Sequence, residues 1–520
     1  MKIKIYDTTL RDGTQAEDVS LSSDEKLKIA LELDKLGFDY IEGGWPGSNA
    51  KDKEFFEKAK KTKFTNSKLA AFSMTRRKNM SAKNDLNIQE LLKAETPVIT
   101  IVGKSWDKHV DFVLKVSLEE NLEMISDTIK FLKENGREVI FDAEHYFDGF
   151  KANKEYALKT LSCAQDAGVD CIVLCDTNGG TMTNEIKEII KETKKEIEVE
   201  LGIHCHNDSG LSDANSIAAV EEGITHIQGT INGVGERTGN ANIITIISNL
   251  QLKKKYDCIS FENIKQLKAV SLFVYELMNI VPDKKLPYVG ESAFAHKGGM
   301  HADAVNKDPK TYEHIEPGVV GNIRRFLASD LSGKSNILSK AKEFGVELDD
   351  LGIREITILV KEKENEGYHY EVADASLELL MIKHKENYKP LFKTDKFKVM
   401  IERDGSIDMN KGFVNVEIDG NKKEGVSEGN GPVDALNRAL RICLSGVYSD
   451  IDKIHLTNFK VRIIDCDKGT EAKTRVLIES TDGENVWTTI GVSSDIITAS
   501  YEALVESIEF GLMKNKENRL

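Results

Sequence analysis

The sequence lacks any apolar run of the ~18 residues that a membrane span needs, and it lacks an excess of basic residues. Its 71 Lys and Arg stand against 86 Asp and Glu, which gives a formal net charge of −15. Because nucleic-acid phosphates are bound by clustered Lys and Arg, this balance argues against nucleic acid as the main partner. No signal peptide is visible either, since the first residues run directly into a strand-like pattern. The sequence predicts no membrane and no nucleic-acid partner.

Cysteine is also scarce, with seven residues scattered along the chain. An odd, scattered set fits the reduced thiols of the cytoplasm better than a disulfide framework. Cys171 and Cys175 lie four residues apart in an apolar run, where packing in a core is the expected role. We therefore predict a cytoplasmic protein and assign no chemistry to its thiols.

Strand-like apolar runs recur in the first half of the chain about every 30 residues, the length of one βα unit. They begin near Ile3, Tyr40, Lys68, Val98, Val139, Asp170, Val199 and His226. Helical patterns lie between them, and the first helix has a capping box at Ser22 and Glu25 and a terminating Gly37. Eight such units predict a (β/α)8 TIM barrel, with a doubly wound open sheet as the alternative.

The rest of the chain predicts two further parts. Residues 256–390 are mostly helical, and their lysine-rich end resembles a connector. From about 397 onward, two similar strand–strand–helix units follow each other, which indicates a pseudo-symmetric α+β domain. We predict an α/β chain with a catalytic barrel at 1–275, helical linker subdomains at 276–395 and a C-terminal α+β domain at 396–520.

Polar side chains concentrate at the predicted carboxyl ends of the barrel strands, where such barrels carry their reactive groups. They are Arg11, Asp12, Glu42, Glu144, Thr177, His204, His206 and Asn240. His204 and His206 are two apart on a strand and point to one face. Two imidazoles near a carboxylate suit a divalent metal ion, with zinc, manganese, cobalt and magnesium all open. A hydrogen-bonded histidine pair at the barrel mouth is the alternative.

Arg11 beside Asp12 suggests a site for a 2-oxo acid. A metal ion can hold the keto oxygen and one carboxylate oxygen, and a neighbouring guanidinium adds hydrogen-bond donors. A structural ion pair of Arg11 with Glu42 competes with this interpretation, although Glu42 could also orient Arg11. Glu144 could act as a base or orient one.

Two further candidates lie outside the barrel. His301 ends the Gly-rich run that starts at His296, and Tyr312 follows it. Such a segment could close over a substrate, and a solvent-exposed loop histidine is the alternative. The run Gly233, Gly235 and Gly239 is no dinucleotide fingerprint, because its spacing and its place after the eighth strand are wrong for one.

Four motifs resemble the isopropylmalate, homocitrate and citramalate synthase family. They are DTTLRDGTQ at 7–15, HCHND at 204–208, GVGERTGN at 233–240 and HKGGMH at 296–301. The resemblance covers nearly the whole chain, because these synthases also carry a C-terminal regulatory domain of two related units. Within the family, IEGGWPGSN at 41–49 is similar to the longer citramalate synthases, whereas isopropylmalate synthases more often have Glu-Ala-Gly-Phe-Pro there.

The resemblance implies a set of roles at the site. It implies one divalent metal ion bound by Asp12, His204 and His206, with Asn240 in or near its coordination sphere. It implies pyruvate binding by Arg11 and Thr177, and we add Glu42 to the substrate-binding residues because it could orient Arg11. It further implies that four residues act in catalysis around acetyl-CoA: Arg11, Glu144, His301 and Tyr312. The implied reaction joins acetyl-CoA to pyruvate and hydrolyses the thioester to give citramalate and CoA.

The resemblance also implies partners, and other functions stay open beside it. The implied partners are pyruvate, acetyl-CoA, a second copy in a homodimer and isoleucine as an effector at the C-terminal domain. The nearest alternative is a 2-isopropylmalate synthase that accepts 2-oxoisovalerate. An acyl-CoA lyase on the same barrel is another, against which the long chain after residue 395 counts. A third is a metal-stabilised binding protein without turnover.

Overall fold

The computed structural model describes residues 1–329, 331, 333–404 and 407–517, without the side chains at 407–408, 466–468 and 515–517. The chain divides into two compact units. The first is Met1–Phe294 with Glu316–Ile323, and the second is Ala295–Ile315 with Arg324–Leu520. The predicted domain boundaries at 275 and 395 stay predictions. Within the described part of the chain, no helix combines the length and apolarity of a membrane span.

Eight parallel strands in chain order close a barrel in the first unit, with β8 pairing back onto β1. They are β1 (Lys4–Asp7), β2 (Tyr40–Gly44), β3 (Lys68–Met74), β4 (Val98–Lys104), β5 (Glu138–Glu144), β6 (Cys171–Asp176), β7 (Glu200–Cys205) and β8 (His226–Gly229). Each begins within one residue of its predicted start. The barrel prediction is confirmed, and the open sheet is excluded.

Helices follow the strands as the sequence predicts. They are α1 (Ser23–Leu36), α2 (Ala50–Ala59), α3 (Leu86–Lys93), α4 (Leu118–Glu134), α5 (Lys154–Asp166), α6 (Thr183–Thr193), α7 (Ser212–Glu221), α8 (Ile243–Ser248) and α9 (Leu267–Leu277). At α1 the capping box of Ser22 and Glu25 forms, and Gly37 ends the helix in the left-handed region at φ 86°. Short helices at Asp107–His109 and Tyr146–Ala152 are additional to the prediction.

Side chains from six strands meet in one buried cluster, which places them inside the barrel. The cluster contains Tyr6, Tyr40, Ala70, Val98, Ile140, Cys171, Val173 and Cys175. Cys171 and Cys175 are therefore packing residues, as predicted. The interior is a packed core rather than a pore, so small molecules can approach only the ends of the barrel.

The second unit begins with helices and ends with two related sheets. Its helices up to residue 383 are α10 (Gly299–Lys307), α11 (Lys334–Phe344), α12 (Asp350–Glu366) and α13 (Asp374–Lys383). The first sheet contains β9 (Lys393–Asp404), β10 (Ile407–Ile418) and β11 (Asn421–Gly429), followed by α14 (Pro432–Ser445). The second contains β12 (His455–Ile463), β13 (Thr474–Thr481) and β14 (Val486–Ser493), followed by α15 (Ile496–Glu517).

The internal repeat is present, but each unit has three strands rather than the predicted two. The missed strands are the first of each sheet, β9 and β12, which lie at a sheet edge and are mostly exposed. A short apolar alternation exists in each strand, but its side chains are only partly buried in β9 and are exposed in β12, and β9 carries many charges. For the same reason, the lysine-rich segment predicted as a connector already contains the start of β9.

Candidate active site

Arg11 lies just after β1 and is fixed by three neighbours. Its Nε contacts Oε1 of Glu42 at 2.5 Å, and its Nη1 lies 3.4 Å from Oδ2 of Asp12. The guanidinium carbon is 4.0 Å from the ring centroid of Phe72. Glu42 is in turn held by Tyr6, whose hydroxyl donates to Oε2 at 2.6 Å. The predicted ion pair of Arg11 with Glu42 is thus present, and it aims a guanidinium at the carboxyl end of the barrel.

Asp12, His204 and His206 form a compact buried group at the same end of the barrel. One ligand atom from each lies within 4.8 Å of the others. Nε2 of His204 is 3.3 Å and Nε2 of His206 is 3.8 Å from Oδ2 of Asp12. The side chains come from the segment after β1, from β7 and from just beyond β7, which is the shared face that the sequence predicts.

Asn240 joins this group through the backbone. It makes an isolated antiparallel bridge with His206, and its Nδ2 donates to the carbonyl of Val234 at 3.3 Å. A Cβ on Gly235 would lie 2.1 Å from Nδ2 of Asn240, so a larger residue there would displace the Asn240 amide. Gly235 thus leaves room for the side chain of Asn240 in the loop after β8.

The residues fit a divalent metal ion. Oδ1 of Asn240 is buried without a hydrogen-bond partner among the described residues, although buried polar atoms are normally satisfied. A carboxylate, two imidazoles and an amide oxygen are a donor set that divalent metal ions accept.

The pKa values of the three side chains in this group are shifted in different directions. Burial acts to raise the pKa of Asp12, but Arg11 and His204 outweigh it and hold that pKa well below its usual range. Burial acts to lower the pKa of His204, yet the hydrogen bond with Asp12 raises it. Burial and the neighbouring His204 lower the pKa of His206 to about 4. The hydrogen bond with Asp12 thus distinguishes His204 from His206.

Two buried polar residues behind His204 were missed by sequence reasoning. Oε1 of Gln228 lies 2.9 Å from Nδ1 of His204, and Nε2 of Gln228 donates to Oδ1 of Asp142 at 2.9 Å. Burial and the carboxylate of Glu42 raise the pKa of Asp142 to about 7. Each could have been identified from the sequence as a polar residue inside an otherwise apolar strand.

Glu144 and Thr177 lie at the ends of β5 and β6 with defined partners. Oε2 of Glu144 is paired with Nζ of Lys104, the last residue of β4, which the sequence analysis did not select. Oγ1 of Thr177 accepts from the backbone N–H of His145 at 2.8 Å, so the hydroxyl proton is free to point elsewhere. Arg237 donates to the carbonyl of Thr177 at 2.7 Å and pairs with Asp208, which ties together the loops that follow β6, β7 and β8.

His301 and Tyr312 belong to the second unit rather than to the barrel unit. Their rings stack with centroids 4.1 Å apart, and both side chains are exposed. Glu313, next to Tyr312, accepts from Arg324 and lies 3.0 Å from Nε2 of His296. The Gly-rich motif is thereby tied to the segment of Tyr312, while the catalytic roles of His301 and Tyr312 stay predictions.

Comparison with known proteins assigns each part of the chain to a family. The HMGL-like family matches residues 2–271, and a homocitrate synthase post-HMGL domain-like family matches residues 288–367. The LeuA allosteric (dimerisation) domain matches residues 371–512. Enzymes with the HMGL-like barrel depend on a divalent metal ion, and the buried Asp–His–His group is present here.

Relatives that align over nearly their whole length indicate which enzymes of this family the chain resembles most. The (R)-citramalate synthase of Aquifex aeolicus is 52% identical, with 99% of each chain covered. That of Geobacter sulfurreducens is 51% identical and covers 99% of this chain and 98% of its own. The 2-isopropylmalate synthase of Methanocaldococcus jannaschii is 32% identical over 99% of this chain and 96% of its own.

The barrel and its site therefore define an acyl-CoA-dependent enzyme of the HMGL-like family. Within that family, the chain belongs to the (R)-citramalate synthases. The resemblance stated from the sequence motifs is confirmed. Trp45 belongs to the IEGGWPGSN motif that favoured the citramalate synthases, and it packs edge-on against Phe72, the ring that covers Arg11, with the ring centroids 5.9 Å apart.

Proposed function

We propose that the protein is an (R)-citramalate synthase, which condenses acetyl-CoA with pyruvate and hydrolyses the thioester to give citramalate and CoA. The observation that carries this proposal is the buried Asp12–His204–His206 group with Arg11 aimed beside it by Glu42. The greater identity to citramalate synthases than to the isopropylmalate synthase favours pyruvate as the acceptor. The six cysteines with described side chains are all free, which fits the cytoplasmic location that we propose.

In this proposal the residues around Arg11 bind and orient pyruvate. A divalent metal ion bound by Asp12, His204 and His206, with Asn240 as a further donor, would supply Lewis-acid polarisation of the keto group. Nε and Nη1 of Arg11 are used by Glu42 and Asp12, which leaves Nη2 for the pyruvate carboxylate. The hydroxyl of Thr177 donates to the same substrate, because its oxygen already accepts from His145.

The condensation itself needs a base. Glu144 takes a proton from the acetyl methyl group or orients the group that does so, with Lys104 fixing its position. The acetyl carbon then forms a bond to the keto carbon, whose oxygen takes up a proton to become the hydroxyl. Water cleaves the thioester and releases CoA. We place His301 and Tyr312 in this catalytic group on the strength of the HKGGMH motif.

Acceptor choice gives the direct test. We expect kcat/KM for pyruvate to exceed that for 2-oxoisovalerate by at least about tenfold, because two extra methyl groups in a pocket shaped for one cost about 1–3 kcal/mol. The measurement is the rate of CoA release with each acid, corrected for hydrolysis without acceptor. Equal efficiency, or faster turnover of the larger acid, would make the chain an isopropylmalate synthase.

The C-terminal domain is proposed to dimerise and to bind isoleucine. The match to the LeuA allosteric (dimerisation) domain supports an oligomer with a regulatory part. The two related sheets with their helices, α14 and α15, would form the effector domain. Exposed amides at helix starts suit an amino-acid carboxylate, although isoleucine as the effector rests on the family resemblance.

Inhibition by isoleucine should disappear when the chain is cut before Lys393. Coupling between effector and active sites is typically about 1–3 kcal/mol, which corresponds to an inhibition of about 5- to 150-fold in the intact enzyme. Because Ile490 packs into the core of the linker helices, the truncated enzyme can lose basal activity. The decisive quantity is therefore the ratio of rates with and without isoleucine, with alanine as the control amino acid. An intact enzyme that ignores millimolar isoleucine would contradict the proposed effector.

A further inference from the structure

A chain of three side chains crosses the barrel interior behind the proposed metal site. Asp142 lies on β5, Gln228 on β8 and His204 on β7, and all three are buried. Nε2 of Gln228 donates to Oδ1 of Asp142 at 2.9 Å, and Oε1 of Gln228 lies 2.9 Å from Nδ1 of His204. Since β5 and β8 are not neighbours in the barrel, this contact spans the interior rather than following one pair of strands.

The hydrogen bonds among these three side chains run in one direction. Nε2 of Gln228 donates to Oδ1 of Asp142, so the amide NH2 of Gln228 faces Asp142. The amide oxygen of Gln228 then faces His204, and it can only accept. Nδ1 of His204 therefore carries a proton and donates it to Gln228, which leaves Nε2, 3.3 Å from Oδ2 of Asp12, as the nitrogen available to a metal ion.

We propose that Gln228 is a positioning residue for His204, oriented in its turn by Asp142. It holds the imidazole in the tautomer whose Nε2 can bind a divalent cation, and it fixes the orientation of the ring. The proposal rests on the proposed metal site. Residues that hydrogen-bond to metal-binding imidazoles in this way commonly change metal affinity by about 10–100-fold when they are removed.

His206 shows that this support is specific to one ligand. Its Nδ1 is buried without a hydrogen-bond partner among the described residues, so no side chain there selects a tautomer. His204 is thus the imidazole whose geometry the barrel determines, and Gln228 is the residue that determines it.

The test is the affinity of the full-length, metal-free protein for Mn²⁺ alone. The concentration of free Mn²⁺ is measured by electron paramagnetic resonance. Gln228→Met keeps the side-chain volume and removes both hydrogen bonds, and it should weaken binding by about 10–100-fold. Gln228→Glu keeps an acceptor for Nδ1 of His204, and it should bind within about threefold of the wild type or more tightly, because carboxylates serve the same role. His204→Ala is the reference for loss of the site.

The outcomes separate this inference from the function on which it rests. Wild-type affinity in Gln228→Met, or equal weakening in Gln228→Met and Gln228→Glu, would overturn the role of Gln228. Wild-type affinity in His204→Ala would instead overturn the proposed metal site.

A measurement on the unsubstituted protein covers the case in which Gln228→Met does not fold. In Zn²⁺-loaded protein with ¹⁵N-labelled histidine, Nδ1 of His204 should carry the proton and Nε2 should show the shift of a coordinated nitrogen. The reverse pattern would overturn the proposal.

Discussion

Replacement of both His204 and His206 by alanine should reduce kcat for condensation by at least about a thousandfold. The two imidazoles are half of the proposed donor set, and Asp12 with Asn240 would retain too few ligands to hold the ion. Loss of Lewis-acid polarisation removes several kcal/mol of transition-state stabilisation, and each ~1.4 kcal/mol is tenfold in rate. The measurement is CoA release from acetyl-CoA and pyruvate at saturating substrate.

Two controls separate loss of the metal ion from loss of structure. Chelation should abolish the activity of the wild-type enzyme, and addition of a divalent cation should restore that activity. The same addition should leave the double variant inactive. His226→Phe is the matched variant, because His226, at the start of β8, is equally buried and packs against the rings of Tyr6 and Tyr40. It should keep its activity. Full activity in the His204→Ala, His206→Ala enzyme would refute the metal assignment.

Arg11→Gln should lower kcat/KM for pyruvate by about 100- to 1,000-fold, the usual cost of one donor aimed at developing charge. Arg11→Lys should recover only part of this loss, because an ammonium cannot reproduce the planar fork that contacts Glu42 and Asp12 at once. The measurement is kcat/KM for pyruvate at saturating acetyl-CoA.

The ion pair makes Arg11→Gln ambiguous unless stability is measured as well. Removal of Arg11 leaves Glu42 as a buried charge without its partner, which typically costs about 3–5 kcal/mol. The double variant Arg11→Gln, Glu42→Gln removes both charges, and Tyr6 can still donate to the new amide oxygen. It should regain the thermal stability lost by Arg11→Gln without regaining activity. Recovery of activity together with stability would reduce Arg11 to a structural ion pair.

The sequence predicted the barrel well because parallel strands buried on both faces have near-continuous apolar patterns at regular spacing. It also predicted that Asp12, His204 and His206 lie together, since the two histidines follow from strand alternation and Asp12 from the segment after β1. Lys104 was missed although it ends β4, because a lysine at a strand end is ordinarily a solvated residue. The edge strands β9 and β12 were left out of the predicted repeat because their apolar alternation is short and weakly buried, and β9 carries many charges.

The supporting residues of the site could not be predicted from spacing. Asp142 and Gln228 are 86 residues apart in the chain, and only the closure of the barrel brings them together. The same holds for Tyr6 and Phe72, which read as core residues but fix Glu42 and cover Arg11. The sequence thus indicated which groups could react, whereas the structure shows what holds them in place.

The central claim is that this chain makes citramalate, and product identification tests it most directly. Purified enzyme with a divalent cation, acetyl-CoA and pyruvate should release CoA and (R)-citramalate in equal amounts, as resolved by chiral chromatography and mass. Neither product should form after chelation. Release of CoA without citramalate, or a product formed from 2-oxoisovalerate but not from pyruvate, would contradict the account.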